Sequence, residues 1–118
     1  MDLSLVPPLL EHAMIELGRF GGRKRSSREA LDGVLLDEQA PGRGEACLAM
    51  AGVGSVMAYE RLLGALEDRD GWVRFMAYRA LRHASGDDHF CDWLYAPADA
   101  RMAAVDGYKL WLDGYADK

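Results

Sequence analysis

The sequence predicts an all-α protein, namely a short α-solenoid of about three helix-pair repeats with an N-terminal capping helix. The first observation is that residues 59–86 have the pattern of two amphipathic helices joined by a tight turn. Their apolar residues recur at helical spacing before the turn (Tyr59, Leu62, Leu63, Leu66) and after it (Val73, Ala77, Ala80, Leu81, Ala84). The second observation is a repeat, because a shift of 31 residues places Glu29 on Glu60, Asp37 on Asp68 and Arg43 on Arg74. A period of about 30 residues built from helix pairs is typical of a solenoid.

Residues 1–28 are predicted to form the N-terminal cap and a basic linker within one domain that spans residues 1–118. Pro7 and Pro8 are suited to a helix start, because a residue there needs no backbone N–H donor. The stretch 19–28 contains five basic residues, and Ser26 with Glu29 has the spacing of a capping box that would start the next helix.

Three repeats are predicted to follow, over residues 29–55, 56–86 and 87–118. In the central repeat, Asp68 or Asp70 can cap the second helix and Gly86 can end it. The third copy agrees less well with the repeat pattern and requires a shift of 27 residues, which places Arg101 on Arg74. Trp93 and Trp111 are expected to seal this last repeat against water, with an exposed partner-binding patch as the alternative.

The repeated pattern resembles the HEAT-like repeats of the bacterial phycobilisome-lyase type. The residues that carry the resemblance are Leu66, Asp68, Asp70, Val73, Arg74, Ala77, Ala80 and Leu81. The resemblance implies a ladder between successive repeats, formed by Asp37, Arg43, Asp68 and Arg74. The pattern departs from the family at Gly42, where valine is usual, and at Tyr95, where the third copy lacks its Asp.

Composition and charge favour a soluble cytoplasmic protein without a membrane span. Half of the residues are hydrophobic, 28% are charged, and the formal net charge is −5. The charge is uneven, with +2 over residues 1–28, −3 over 29–85 and −4 over 86–118. The acidic balance argues against a nucleic-acid partner. Two cysteines, Cys47 and Cys91, do not make a disulfide framework and favour a reduced compartment.

Three stretches contain residues that occur in chemical sites, and none predicts an enzyme or a cofactor. Cys47 has no histidine nearby in the sequence and is expected to be a buried apolar residue. The paired spacing of a zinc site is absent from the group His83, His89 and Cys91. The favoured interpretation is a polar surface around a helix start, and metal binding is the alternative. The basic stretch 19–28 is expected to be a solvated linker, with phosphate contact left open.

The favoured function is a non-enzymatic protein–protein interaction module, an adaptor or scaffold that binds a partner protein on its concave helical face. The predicted partner-binding residues are Phe75, Tyr78, Arg79, Arg82, Met102, Asp106 and Lys109. Tyrosine, phenylalanine and arginine are enriched at interfaces, although packing of Phe75 and Tyr78 against neighbouring helices is an equal alternative. Other functions left open are an inhibitor or immunity-type protein and, from the resemblance alone, a chromophore-lyase subunit. The chain is expected to be a monomer, or a homodimer formed through an open repeat end.

Overall fold

The computed structural model describes residues 8–21, 25–37, 39 and 41–117, with side chains at 12–21, 28–37, 39 and 41–117. The prediction of an all-α protein is confirmed, since these residues form six helices and no strand. The helices are α1 (Pro8–Gly21), α2 (Arg25–Leu36), α3 (Arg43–Val53), α4 (Val56–Ala65), α5 (Gly71–Ser85) and α6 (Ala98–Ala116). None of these helices combines the length and the apolar character that a bilayer span requires.

Side-chain caps and left-handed glycines set the bounds of the central helices. Of the two predicted caps, Asp68 and Asp70, it is Asp70 that caps α5, because its side chain accepts a hydrogen bond from the backbone N–H of Trp72. Ser55 does the same for α4 by accepting from the N–H of Ala58. Gly54 and Gly86, with φ of 71° and 77°, end α3 and α5 in a conformation that glycine adopts without strain.

Helix α3 lies at the centre of the molecule, between α1 and α5. Its small residues let α1 approach closely. A Cβ atom on Gly18 would lie 1.7 Å from the carbonyl oxygen of Ala49, and a Cβ on Gly52 would lie 1.9 Å from that of Ile15. The two backbones are therefore in direct contact, and only glycine fits at these two positions.

Helix α4 contacts α2 on one side and α6 on the other, and it also packs on α3 and α5. The contact with α6 is aromatic. The ring of Tyr59 meets the rings of Trp111 and Tyr115 edge to face, with centroids 5.1 and 5.3 Å apart. Helices α1, α3 and α5 thus pack side by side, and α2, α4 and α6 follow one another beside them.

The predicted helix pair over residues 87–118 is present only in its second half. Residues 87–97 form no helix, and they cover one side of α5 instead. Trp93 is buried and stacks on Tyr78 with ring centroids 5.8 Å apart, so it seals the core as expected. Cys91 to Tyr95 turn tightly, with the N–H of Trp93 bonded to the carbonyl of Cys91.

The predicted basic linker is shorter than expected. Helix α1 continues to Gly21 and α2 begins at Arg25, so Arg25 to Arg28 belong to a helix. Ser26 therefore lies inside α2 and not at its N-cap, which corrects the predicted capping box. The side chains of residues 22–27 lie outside the described residues, and so does the predicted start at Pro7.

Candidate protein-binding surface

The structure removes two residues from the predicted binding face. Phe75 and Tyr78 are only 5% and 2% exposed, so neither can contact a partner without unfolding. The ring of Tyr78 packs against Phe75, Phe90 and Trp93, and its hydroxyl donates a hydrogen bond to Asp88. Burial raises the pKa of Tyr78, and the bond to Asp88 raises it further. These aromatic residues belong to the core, where segment 87–97 folds over α5.

The other predicted residues lie at the surface, on two different helices. Arg79 and Arg82 are partly exposed on α5, and Arg82 lies 3.7 Å from a carboxylate oxygen of Asp88. Met102, Asp106 and Lys109 are exposed on α6, which contacts α4 as well as α5. The predicted stripe is therefore interrupted, since its aromatic members are buried.

Arg43 and Asp68 join the two helix pairs α2–α3 and α4–α5. Arg43, at the start of α3, donates through both terminal nitrogens to the carboxylate of Asp68, with Nη1 3.3 Å from Oδ1. Nη2 also lies 3.5 Å from the carbonyl oxygen of Leu35. Both side chains are largely buried, and the hydrogen bond to Asp68 raises the pKa of Arg43. Asp37 instead accepts a hydrogen bond from the N–H of Gln39 in its own turn.

Arg74 occupies the matching position on α5 but bonds only to backbone carbonyls among the described contacts. It donates to Asp68 and Arg69 in the preceding turn at 2.7 and 3.0 Å. It also donates to Trp93 and Leu94, both at 2.8 Å. Carbonyl oxygens beside Tyr95 therefore take the place of the Asp that the third copy lacks.

Two clefts lie end to end between α2 and α4. The first has a volume of about 480 Å³ and the second about 290 Å³. The first is lined by Arg28, Glu29, Asp32, Met50, Val53, Ser55, Met57 and Ala58. The second is lined by Leu35, Leu36, Arg43, Glu60, Arg61, Gly64, Ala65 and Asp68. We refer to the two clefts together as the α2–α4 furrow.

An ion pair crosses the furrow at its middle. The Nε atom of Arg61 on α4 lies 3.0 Å from Oδ1 of Asp32 on α2. Each cleft offers an exposed apolar side chain, Met57 in the first and Leu36 in the second. The furrow thus combines apolar surface with charges of both signs, which is the composition of many protein-binding grooves.

The sequence did not single out the furrow, and only indirect signals pointed towards it. Gly33 and Gly64 fall on one another in the 31-residue shift, and a Cβ atom at either position would meet no atom within 4 Å. Only Gly64 lines a cleft, the second one, so the repeated glycines alone do not locate the furrow. Met57 and Leu36 were not predicted, because single apolar residues of an amphipathic helix are usually assigned to the core.

The candidate chemical groups do not form a reactive site. No three His, Cys, Asp or Glu side chains gather into a metal-binding set within the described part of the chain. His83 is exposed near the end of α5, while His89 packs edge to face on Tyr108 at 4.7 Å. Both cysteines are free thiols, and burial raises the pKa of Cys47 to about 12. Because the thiolate is the nucleophile, Cys47 is inert at neutral pH.

No family model, curated protein or solved structure matches this chain. The HEAT-like resemblance accordingly stays a prediction from the repeated residues.

Proposed function

We propose that this chain is a non-enzymatic adaptor that holds a segment of another protein in the α2–α4 furrow. The observation that carries the proposal is the exposed Met57 beside the first cleft, whose lining includes Met50, Val53 and Ala58. Methionine adapts its shape to different apolar partners and is common at binding surfaces. In this account the pairs α2–α3 and α4–α5 are successive HEAT-like repeats, and Arg43 and Asp68 link them.

The chemistry of the furrow favours an amphipathic helix as the bound segment. A helix laid along α2 and α4 places its apolar face on Met57 and Leu36. Acidic and basic residues both line the two clefts, so charged residues of both signs beside that apolar face would be complementary to the surface. The free thiols Cys47 and Cys91 support a cytoplasmic setting, where such thiols stay reduced.

A pair of matched variants tests this proposal. The tagged chain is used to capture proteins from its native cell, and captured proteins are quantified by mass spectrometry for the wild type, Met57→Glu and Met102→Glu. The two methionines are similarly exposed, at 64% and 59%, but only Met57 lies in the furrow. We expect Met57→Glu to reduce recovery of the partner at least about tenfold, as loss of about 1.4 kcal/mol would. Met102→Glu should leave recovery within about twofold.

The opposite pattern would overturn the furrow as the binding surface. Loss of the partner with Met102→Glu, but not with Met57→Glu, would instead support the predicted residues on α6. Both substitutions are at exposed positions, so thermal unfolding should match the wild type and serves as the folding control.

A further inference from the structure

The ion pair between Arg61 and Asp32 divides the α2–α4 furrow where its two clefts meet. The first cleft is lined by the beginnings of both helices and the second by their later turns, so α2 and α4 run in the same direction. Asp32 lines the first cleft and Arg61 the second, and their contact at 3.0 Å joins the two helices. A segment laid along the furrow therefore has to pass over this ion pair.

The exposed apolar side chains of the furrow lie on opposite sides of the ion pair. Met57 precedes Arg61 by four residues on α4, and Leu36 follows Asp32 by four residues on α2. Since an α-helix rises about 1.5 Å per residue, each apolar residue lies about 6 Å along the furrow from the pair. The separation of about 12 Å between Met57 and Leu36 corresponds to roughly two turns of a bound helix. A residue in the middle of those two turns would face the ion pair.

The chemistry of the ion pair restricts what that middle residue can be. The side chains of Arg61 and Asp32 are 40% and 25% exposed, so a bound segment can touch both. A leucine would remove water from both charges and supply no hydrogen bond in return. A glutamate or a lysine would pair with one charge and repel the other. A side-chain amide suits both charges, because its carbonyl accepts from a guanidinium and its NH2 group donates to a carboxylate.

We infer, on the basis of the function proposed above, that the furrow selects helices with a glutamine or asparagine midway between two apolar residues about two turns apart. Met57 and Leu36 contact the apolar residues, and Arg61 and Asp32 bind the amide. The ion pair thus determines specificity, while the apolar contacts supply affinity. A continuous apolar stripe, which many helix-binding grooves accept, is disfavoured in this furrow.

Three synthetic helical peptides test this inference. They share one soluble, alanine-rich sequence with two leucines about two turns apart, and they differ only in the middle residue, which is glutamine, leucine or glutamate. Binding of each labelled peptide to the full-length chain is measured by fluorescence anisotropy. We expect the glutamine peptide to bind the wild type at least about tenfold more tightly than either of the others, because it alone forms hydrogen bonds with both charges.

Two double variants of the protein identify the source of the preference. Asp32→Ala with Arg61→Ala removes the ion pair, and the glutamine and leucine peptides should then bind within about twofold of each other. Glu16→Ala with Arg19→Ala removes an ion pair of 3.1 Å on α1, outside the furrow, and should leave the preference unchanged. Thermal unfolding of both double variants serves as the folding control, since none of the four side chains is fully buried.

The outcomes separate this inference from the proposed function. Equal binding of the peptides, or a glutamine preference that survives the loss of Asp32 and Arg61, would overturn the inference. Where Met57→Glu still weakens peptide binding, the furrow would remain the binding surface. Absence of binding by every peptide would also overturn the inference, and the capture experiment with Met57→Glu would then decide the proposed function by itself. Peptide binding that Met57→Glu leaves unchanged would contradict both.

Discussion

At the scale of single residues, Arg74 joins two parts of the chain that are separate in sequence. Its guanidinium donates to carbonyls on both sides, Asp68 and Arg69 before α5 and Trp93 and Leu94 after it. Burial lowers the pKa of Arg74, yet arginine stays protonated because its ordinary pKa is so high. Its planar fork of donors satisfies carbonyls that lie in different directions.

Arg74→Lys should therefore destabilise the protein although it conserves the charge. A lysine ammonium donates from one nitrogen and cannot reach carbonyls on both sides, which leaves buried acceptors unpaired. We expect a loss of about 2–4 kcal/mol in the free energy of unfolding, measured by urea denaturation. Arg79→Lys, on the same helix but partly exposed, should change it by less than about 0.5 kcal/mol. Equal effects of the two substitutions would show that the carbonyl contacts of Arg74 contribute little.

The predicted binding residues show what a sequence can and cannot reveal at this scale. The end of α5 at Gly86 was predicted correctly and its cap was predicted as Asp68 or Asp70, because a cap and a left-handed glycine depend only on nearby residues. For Phe75 and Tyr78 the sequence left partner binding and core packing as equal alternatives, because their burial depends on residues 87–95 folding back over α5. A segment that folds back in this way has no helical periodicity from which it could be predicted. Aromatic residues occur both in cores and at interfaces, so their type does not decide between the two.

At the scale of helices, α1 approaches α3 closely enough for their backbones to touch at two glycines. Gly18 and Gly52 allow the backbones to touch, whereas Gly33 and Gly64 face open space near α2 and α4. Glycines inside helices thus have opposite roles in this fold. A side chain at Gly18 or Gly52 would collide with backbone atoms. A side chain at Gly33 or Gly64 would extend into open space.

Gly18→Ala and Gly33→Ala should consequently shift stability in opposite directions. Alanine favours the helix over glycine by about 1 kcal/mol at either position. At Gly18 the new Cβ atom would force α1 away from α3, so we expect a net loss of about 1–3 kcal/mol. Gly33→Ala should instead stabilise by about 0.5–1 kcal/mol. Urea denaturation measures both, and a stabilising Gly18→Ala would contradict the close contact of α1 with α3.

The helix bounds also show where the repeat pattern stopped being informative. The 31-residue shift located the pairs α2–α3 and α4–α5, because those copies share polar and apolar residues in register. The weaker 27-residue shift suggested a third pair, and the structure has a single helix there. Residues 87–97 contain acidic and aromatic residues without a helical stripe, so the pattern could not define their conformation.

At the scale of the whole molecule, the all-α class followed from the sequence, whereas the binding surface did not. The α2–α4 furrow exists because α3 and α5 set the separation of the two helices that line it. Such a separation depends on packing between distant residues, which periodicity along one helix does not encode.

Arg43 and Asp68 link the helix pairs α2–α3 and α4–α5, which are successive repeats in the proposed function. A double-mutant cycle measures that link directly, with urea denaturation of Arg43→Ala, Asp68→Ala and the double variant. Removing either partner leaves the other one largely buried without its opposite charge. Each single substitution should therefore lower the free energy of unfolding by more than the ion pair contributes net. We predict a coupling free energy of at least about 1 kcal/mol, whereas additivity within about 0.5 kcal/mol would contradict the role of Arg43 and Asp68 as the link between the two helix pairs.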